Sequence, residues 1–69
     1  MRLSARNQLA GTVAAVDAGA VTTIVKIDLG GGQLITSSVT REAADELGLT
    51  VGAAVMAVIK SSDVILAVE

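Results

Sequence analysis

The sequence contains neither cysteine nor histidine. Disulfide stapling, thiolate or imidazole metal centres, and any Cys/His or Ser/His nucleophile pair are therefore excluded together. Phenylalanine, tyrosine and tryptophan are also missing, so there is no aromatic platform on which nucleobases could stack. Positive charge is scarce. Arg2, Arg6, Lys26, Arg41 and Lys60 are the 5 basic residues against 7 acidic ones, a net charge of −2. That is no field for holding a phosphate backbone, and a nucleic-acid partner is not expected. Apolar runs such as 51–59 are far shorter than the roughly 20 residues needed to cross a bilayer, and Met1-Arg2-Leu3-Ser4-Ala5-Arg6 opens no apolar signal segment. The expected setting is cytoplasmic, away from membranes.

What the chain does have is aliphatic surface. Hydrophobic residues make up 52% of 69 positions, nearly all Val, Ile, Leu and Ala. A chain of this length forms one domain, 1–69, yet buries too little on its own to be comfortably stable without staples, metals or partner subunits. With the first two excluded, the core is expected to continue across contacts in a homo-oligomer.

Glycine supplies the punctuation. Gly19 interrupts one apolar run, Gly30-Gly31-Gly32 another, and Gly48 and Gly52 bracket a third break. Gln8 to Val16 is rich in Val and small residues. Val21, Thr23, Val25, Ile27 and Leu29 then alternate with Thr22, Ile24, Lys26 and Asp28, the period of two that marks a strand. The two segments predict a hairpin across Asp17–Ala20. A third strand, Gln33 to Val39, follows the glycine triplet, whose freedom at positive φ suits a turn with a bulge. From Thr40 to Gly48 the period changes: Thr40 can cap, Glu42 lies in the first turn, Ala43, Ala44 and Leu47 share a face, and Gly48 fits the terminating position of a helix of about two turns. Val51 to Lys60 and Val64 to Val68 predict two further strands joined by Ser61-Ser62-Asp63. Three strands, a helix, then two strands is the order of a five-stranded, OB-like Greek-key barrel, mainly β, with its short helix between strands 3 and 4. The last two strands are apolar on both faces. A small barrel hides one face only, so the other predicts a subunit interface.

Two polar clusters stand out. Ser4-Ala5-Arg6-Asn7 precedes the first strand, and Lys60-Ser61-Ser62 follows the fourth. Each couples a cation to a hydroxyl beside backbone amides, donors suited to a small tetrahedral dianion. Neither cluster is sufficient alone, and a site between subunits could draw on both. The plainer reading makes them solvated turns, with Arg6 paired to Asp63 or Glu69 and Thr40 no more than a helix cap. The glycine triplet lacks the Gly-Lys-Ser/Thr of a phosphate loop. Asp17, Asp28, Asp45 and Glu46 show no metal-ligand spacing, so no free-cation site is expected, and no pair of carboxylates is placed for acid–base work. Catalysis is not expected. The alternatives are an oxyanion-binding protein and a ligand-free structural or protein-interaction barrel.

Ser4-Ala5-Arg6-Asn7-Gln8-Leu9 with Gly11, Asp28-Leu29-Gly30-Gly31-Gly32, Ile35-Thr36-Ser37, Glu46-Leu47-Gly48-Leu49, Val51-Gly52 and Val58-Ile59-Lys60-Ser61-Ser62-Asp63-Val64 together resemble the molbindin (Mop) family. The same module is similar to C-terminal domains of molybdate-responsive regulators and molybdate-transporter ATPases. The resemblance spans essentially the whole chain. It implies intracellular binding, storage and buffering of molybdate or tungstate for molybdenum homeostasis, with no organic cofactor. It also implies a hexamer, a trimer of dimers with exchanged N-terminal strands, holding the anion at subunit interfaces. By that resemblance Ser4, Ala5 through its amide, and Arg6 line one side of the site, Lys60 and Ser61 lie nearby, and Thr40 reaches in from a neighbour. Related regulator domains carry a hydroxyl near position 43, where this chain has Ala43. A second site on the three-fold axis would use amides around Gly19, Ala20 and Val21.

Overall fold

The computed structural model describes residues 2–69; residue 1, the first of the expected single domain, lies outside the described residues. Strand β1 (Asn7–Ala18), β2 (Thr22–Gly30) and β3 (Gln33–Thr40) are followed by helix α1 (Arg41–Leu47), β4 (Ala54–Ile59) and a 3-10 turn at Ser61–Asp63. The strands form one antiparallel sheet in the order β3-β2-β1-β4.

The alternation in β2 does what its period predicts. Thr23, Val25 and Ile27 point inward and are buried, while Thr22, Lys26 and Asp28 face solvent. Val13 from β1 meets Val25 and Ile27 to make the fully buried centre, and Leu29, Ile35, Val39, Leu49 and Val55 pack around it. The sheet curls, helped by a register shift between Val13 and Ala15. At Gly11 the curl brings β2 so close that a Cβ would stand 2.7 Å from Ile27 Cγ2 and 2.8 Å from the Asp28 carbonyl oxygen.

The glycine triplet is the expected turn with a bulge: Gly30, Gly31 and Gly32 all have positive φ, and the β2/β3 register slips between Asp28 and Gly30. The Asp28 carboxylate accepts the Gly30 N–H at 2.7 Å, fixing the start of the turn. Helix α1 is capped at both ends as its sequence predicts. Thr40 Oγ1 accepts the Ala43 N–H at 3.1 Å, and Gly48 closes the helix at φ 64°. Ala44 is its buried residue, whereas Leu47, expected on the same face, stays 70% exposed. A two-turn helix presents little more than one position to a small core, and Leu49 beyond the cap fills the adjoining place.

The fifth strand is a correction. Residues 64–68 form no strand, and the sheet has four, not five. The chain leaves β4 through the 3-10 turn, where the Asp63 and Val64 N–H groups donate back to the Lys60 and Ser61 carbonyls, instead of reversing into a hairpin. A strand exists only by pairing, and among the described residues this segment has no strand beside it. Ile65, Leu66 and Val68 are 93%, 87% and 97% exposed. Each forgoes about 1.5–3 kcal/mol that burial would contribute. The fourth strand is also shorter than its apolar run, because Val51 and Gly52 form a turn. Met56 and Val58 on its outer face are exposed, as the two-sided pattern anticipates. Among the described residues no helix is long and apolar enough to cross a membrane.

Candidate functional site

The two polar clusters, at opposite ends of the sequence, are brought to one end of the sheet by a single strand pairing. Strands β1 and β4 run antiparallel with Asn7 opposite Ile59 as their terminal pair. Asn7 Nδ2 also donates to the Ile59 carbonyl at 3.2 Å, which ties the end of the ladder. One residue further along each chain stand Arg6 and Lys60, then Ala5 and Ser61. Both cations are exposed, and among the described residues no side-chain hydrogen bond engages either one. Like charges near one another repel, so two unpaired cations at one end of a sheet are a feature that an anion between them would relieve.

Donors are at hand around that pair. Ser61 opens the 3-10 turn, and among the described residues the Ser61 and Ser62 amides have no backbone partner. Ser4 is exposed beside Ala5, whose carbonyl accepts a long contact of 3.5 Å from Gln8 Nε2. This end of the sheet thus offers a guanidinium, an ammonium, hydroxyls and amides on an open surface. Asn7 holds the two strands in register, a role its sequence gives no means of reading.

Thr40 is not part of this cluster. It closes the β2/β3 ladder opposite Thr22, and the β1 end near it is Ala18 opposite Thr23, so Thr40 and Arg6 lie at opposite ends of β1. A second group forms there instead. The Arg41 N–H donates to the Val21 carbonyl at 2.8 Å, and Arg41 Nη1 contacts the Gly19 carbonyl at 3.5 Å. This places Gly19, Ala20 and Val21 beside Thr40 and Arg41. The Gly19 amide is already committed to the Thr22 carbonyl at 2.9 Å and is not available as a donor. The Thr40 hydroxyl accepts from Ala43 but keeps its own O–H to donate. Arg41, which the sequence left without a role, brings the guanidinium to this end. The expected hydroxyl position at Ala43 is half-buried methyl surface. Lys26 is solvated, its Nζ donating to Thr36 Oγ1 at 3.1 Å. Among the described residues no cluster of acidic side chains could hold a metal ion.

Residues 3–66 match the family model described as the TOBE domain. Over all 69 residues the chain is 46% identical to the whole of a probable molybdenum-pterin-binding protein from Haemophilus influenzae. MopII from Clostridium pasteurianum superposes with a TM-score of 0.89 at 42% identity, covering 97% of this chain and 100% of that one. The cytoplasmic molybdate-binding protein ModG, with molybdate bound, superposes with a TM-score of 0.90 at 57% identity. That match covers 94% of this chain and 46% of ModG, so one chain here corresponds to about half of that protein. The chain belongs to the TOBE-domain family and groups, along its whole length, with the molybdenum-pterin-binding (Mop) proteins.

Proposed function

We propose that this chain binds molybdate or tungstate without chemical change, and that it buffers the anion in the cytoplasm as a homo-oligomer. What supports the reading is the β1/β4 register: its last pair, Asn7 and Ile59, leaves Arg6 and Lys60 as the next residues of their two strands, with Ala5 and Ser61 beyond them. A tetrahedral dianion satisfies that set: two cations balance its charge, and hydroxyl and amide donors fix its oxygens by charge-assisted hydrogen bonds.

The half-site is open and holds too few donors to enclose an ion. Completion from another copy is the economical solution, with Thr40 and Arg41 from the far end of a second sheet as the complementary donors. The hexameric trimer of dimers implied by the resemblance supplies such contacts. The amides of Ala20 and Val21, beside Arg41, are the residues for a second site.

The relatives carry two ligand names, molybdenum-pterin and molybdate. The donors assembled here suit the oxyanion, since the chain has no aromatic face to sandwich a pterin ring. Isothermal calorimetry with molybdate, tungstate and sulfate tests the reading. Saturable heat with the first two and little with sulfate is expected. Absence of heat with all three returns the chain to the alternative, a ligand-free interaction barrel.

A further inference from the structure

The 3-10 turn after β4 puts a negative charge near two positive ones. Asp63 closes that turn, its N–H donating to the Lys60 carbonyl at 2.9 Å. At about 2 Å of rise per residue, Lys60 and Asp63 stand roughly 6 Å apart along it. Lys60 follows Ile59 and Arg6 precedes Asn7, the pair that ends the β1/β4 ladder, so Asp63 shares one end of the sheet with both cations.

The sequence allows Asp63 to neutralise Arg6, and the structure does not use it in that way. Among the described residues no side-chain hydrogen bond engages the Asp63 carboxylate, Arg6 or Lys60, and all three are exposed. Nor does the turn need this side chain, because its bonds run between backbone groups: Asp63 N–H to Lys60 and Val64 N–H to Ser61. A carboxylate with neither a partner nor a capping role acts through its field. That field carries about 8 Å at physiological ionic strength, further than the span of the turn.

The other acidic residues are placed differently. Asp28 is committed to the Gly30 N–H, Asp17 lies toward the far end of β1 opposite Ile24, and Glu42, Asp45 and Glu46 are on α1.

We propose that Asp63 limits the affinity of the oxyanion site and so keeps the bound anion exchangeable; this rests on the reading of Arg6 and Lys60 as the residues that hold the anion. Two effects act in the same direction. The carboxylate repels the incoming dianion, and it offsets the mutual repulsion of Arg6 and Lys60 in the free protein, which lessens what the anion relieves on arrival. A chain that buffers an anion has to release it, and a fixed negative charge beside the cations sets that balance without any moving part.

Asp63→Asn and Asp63→Lys test the proposal, with molybdate titrated by calorimetry at about 0.05 M and about 0.5 M salt. Affinity is expected to rise about three- to tenfold in Asp63→Asn at the lower salt and further in Asp63→Lys, with both gains shrinking at the higher salt. Glu46→Gln makes the same change in net charge on α1 and is expected to match the parent. Circular dichroism confirms the sheet in each variant, and Asp63→Ser repeats the neutral case should Asp63→Asn not fold. A neutral variant that binds no more tightly than the parent overturns the proposal, as does a gain independent of salt or an equal gain in Glu46→Gln. A parent that takes up no molybdate removes the oxyanion reading and this inference with it, whereas a parent that binds beside an unchanged Asp63→Asn removes only the role of Asp63.

Discussion

Asn7 and Ile59 end the β1/β4 ladder as a directly opposed pair, and the Asn7 side-chain amide donates to the Ile59 carbonyl at 3.2 Å. The contact sets the position of the two residues that follow in space, Arg6 and Lys60, and so links a structural hydrogen bond to the charge of the candidate site.

Removing either cation weakens the anion without disturbing the fold. Arg6→Ala and Lys60→Ala each lose a charge-assisted hydrogen bond, about 1.5–3 kcal/mol where the ion is desolvated, or roughly ten- to a hundredfold in affinity. Calorimetry reads the loss. Circular dichroism is expected to match the unsubstituted chain, since both side chains are exposed.

Thr40 has a structural role and a proposed binding role, and two substitutions separate them. Thr40→Ala removes the acceptor for the Ala43 N–H and costs about 0.5–2 kcal/mol of stability. It is also expected to weaken molybdate binding. Thr40→Ser keeps both the cap and the free hydroxyl hydrogen, and should restore melting temperature and affinity together. An unchanged affinity in Thr40→Ala, with only its melting temperature lowered, would confine Thr40 to capping.

Gly11→Ala tests the close approach of β1 and β2. The added methyl would meet Ile27 Cγ2 and the Asp28 carbonyl oxygen at 2.7 and 2.8 Å, and the backbone cannot yield cheaply. A loss of about 1–3 kcal/mol is expected in chemical denaturation. A variant as stable as the parent would show that the curl at this point is soft.

Thr23→Val is expected to stabilise the chain. Thr23 is 1% exposed and its hydroxyl has no hydrogen-bond partner among the described residues. Replacing it with an isosteric apolar side chain removes a desolvation cost of about 1–3 kcal/mol. The denaturation midpoint should rise at an unchanged slope.

Much of the fold was legible because its signals are local. The period of two in β2, the Thr40 and Gly48 caps and the glycine turn each depend on residues a few positions apart, and each forms as read. The segment 64–68 has the same strand-like pattern and forms no strand, because pattern reports suitability and only a neighbouring backbone supplies pairing. Leu47 failed for a related reason: its face is right, but the core beside a short helix has room for Ala44 and Leu49. At the site, the chemistry of Ser4-Ala5-Arg6 and Lys60-Ser61 was visible as composition, whereas their adjacency rests on a register that no local pattern encodes. The commitment of the Gly19 amide to Thr22 was equally hidden, being a turn detail.

The separation of 52 residues between Asn7 and Ile59 also orders events in time. The β2/β3 hairpin closes over a turn already braced by Asp28 and is a local contact, while β1 pairs with β4 across most of the sequence, a closure of higher entropic cost. Arg6 and Lys60 meet only when that step is complete. A nascent or partly unravelled chain would therefore lack the proposed oxyanion site, and an anion held there would by mass action favour molecules whose folding has reached its end.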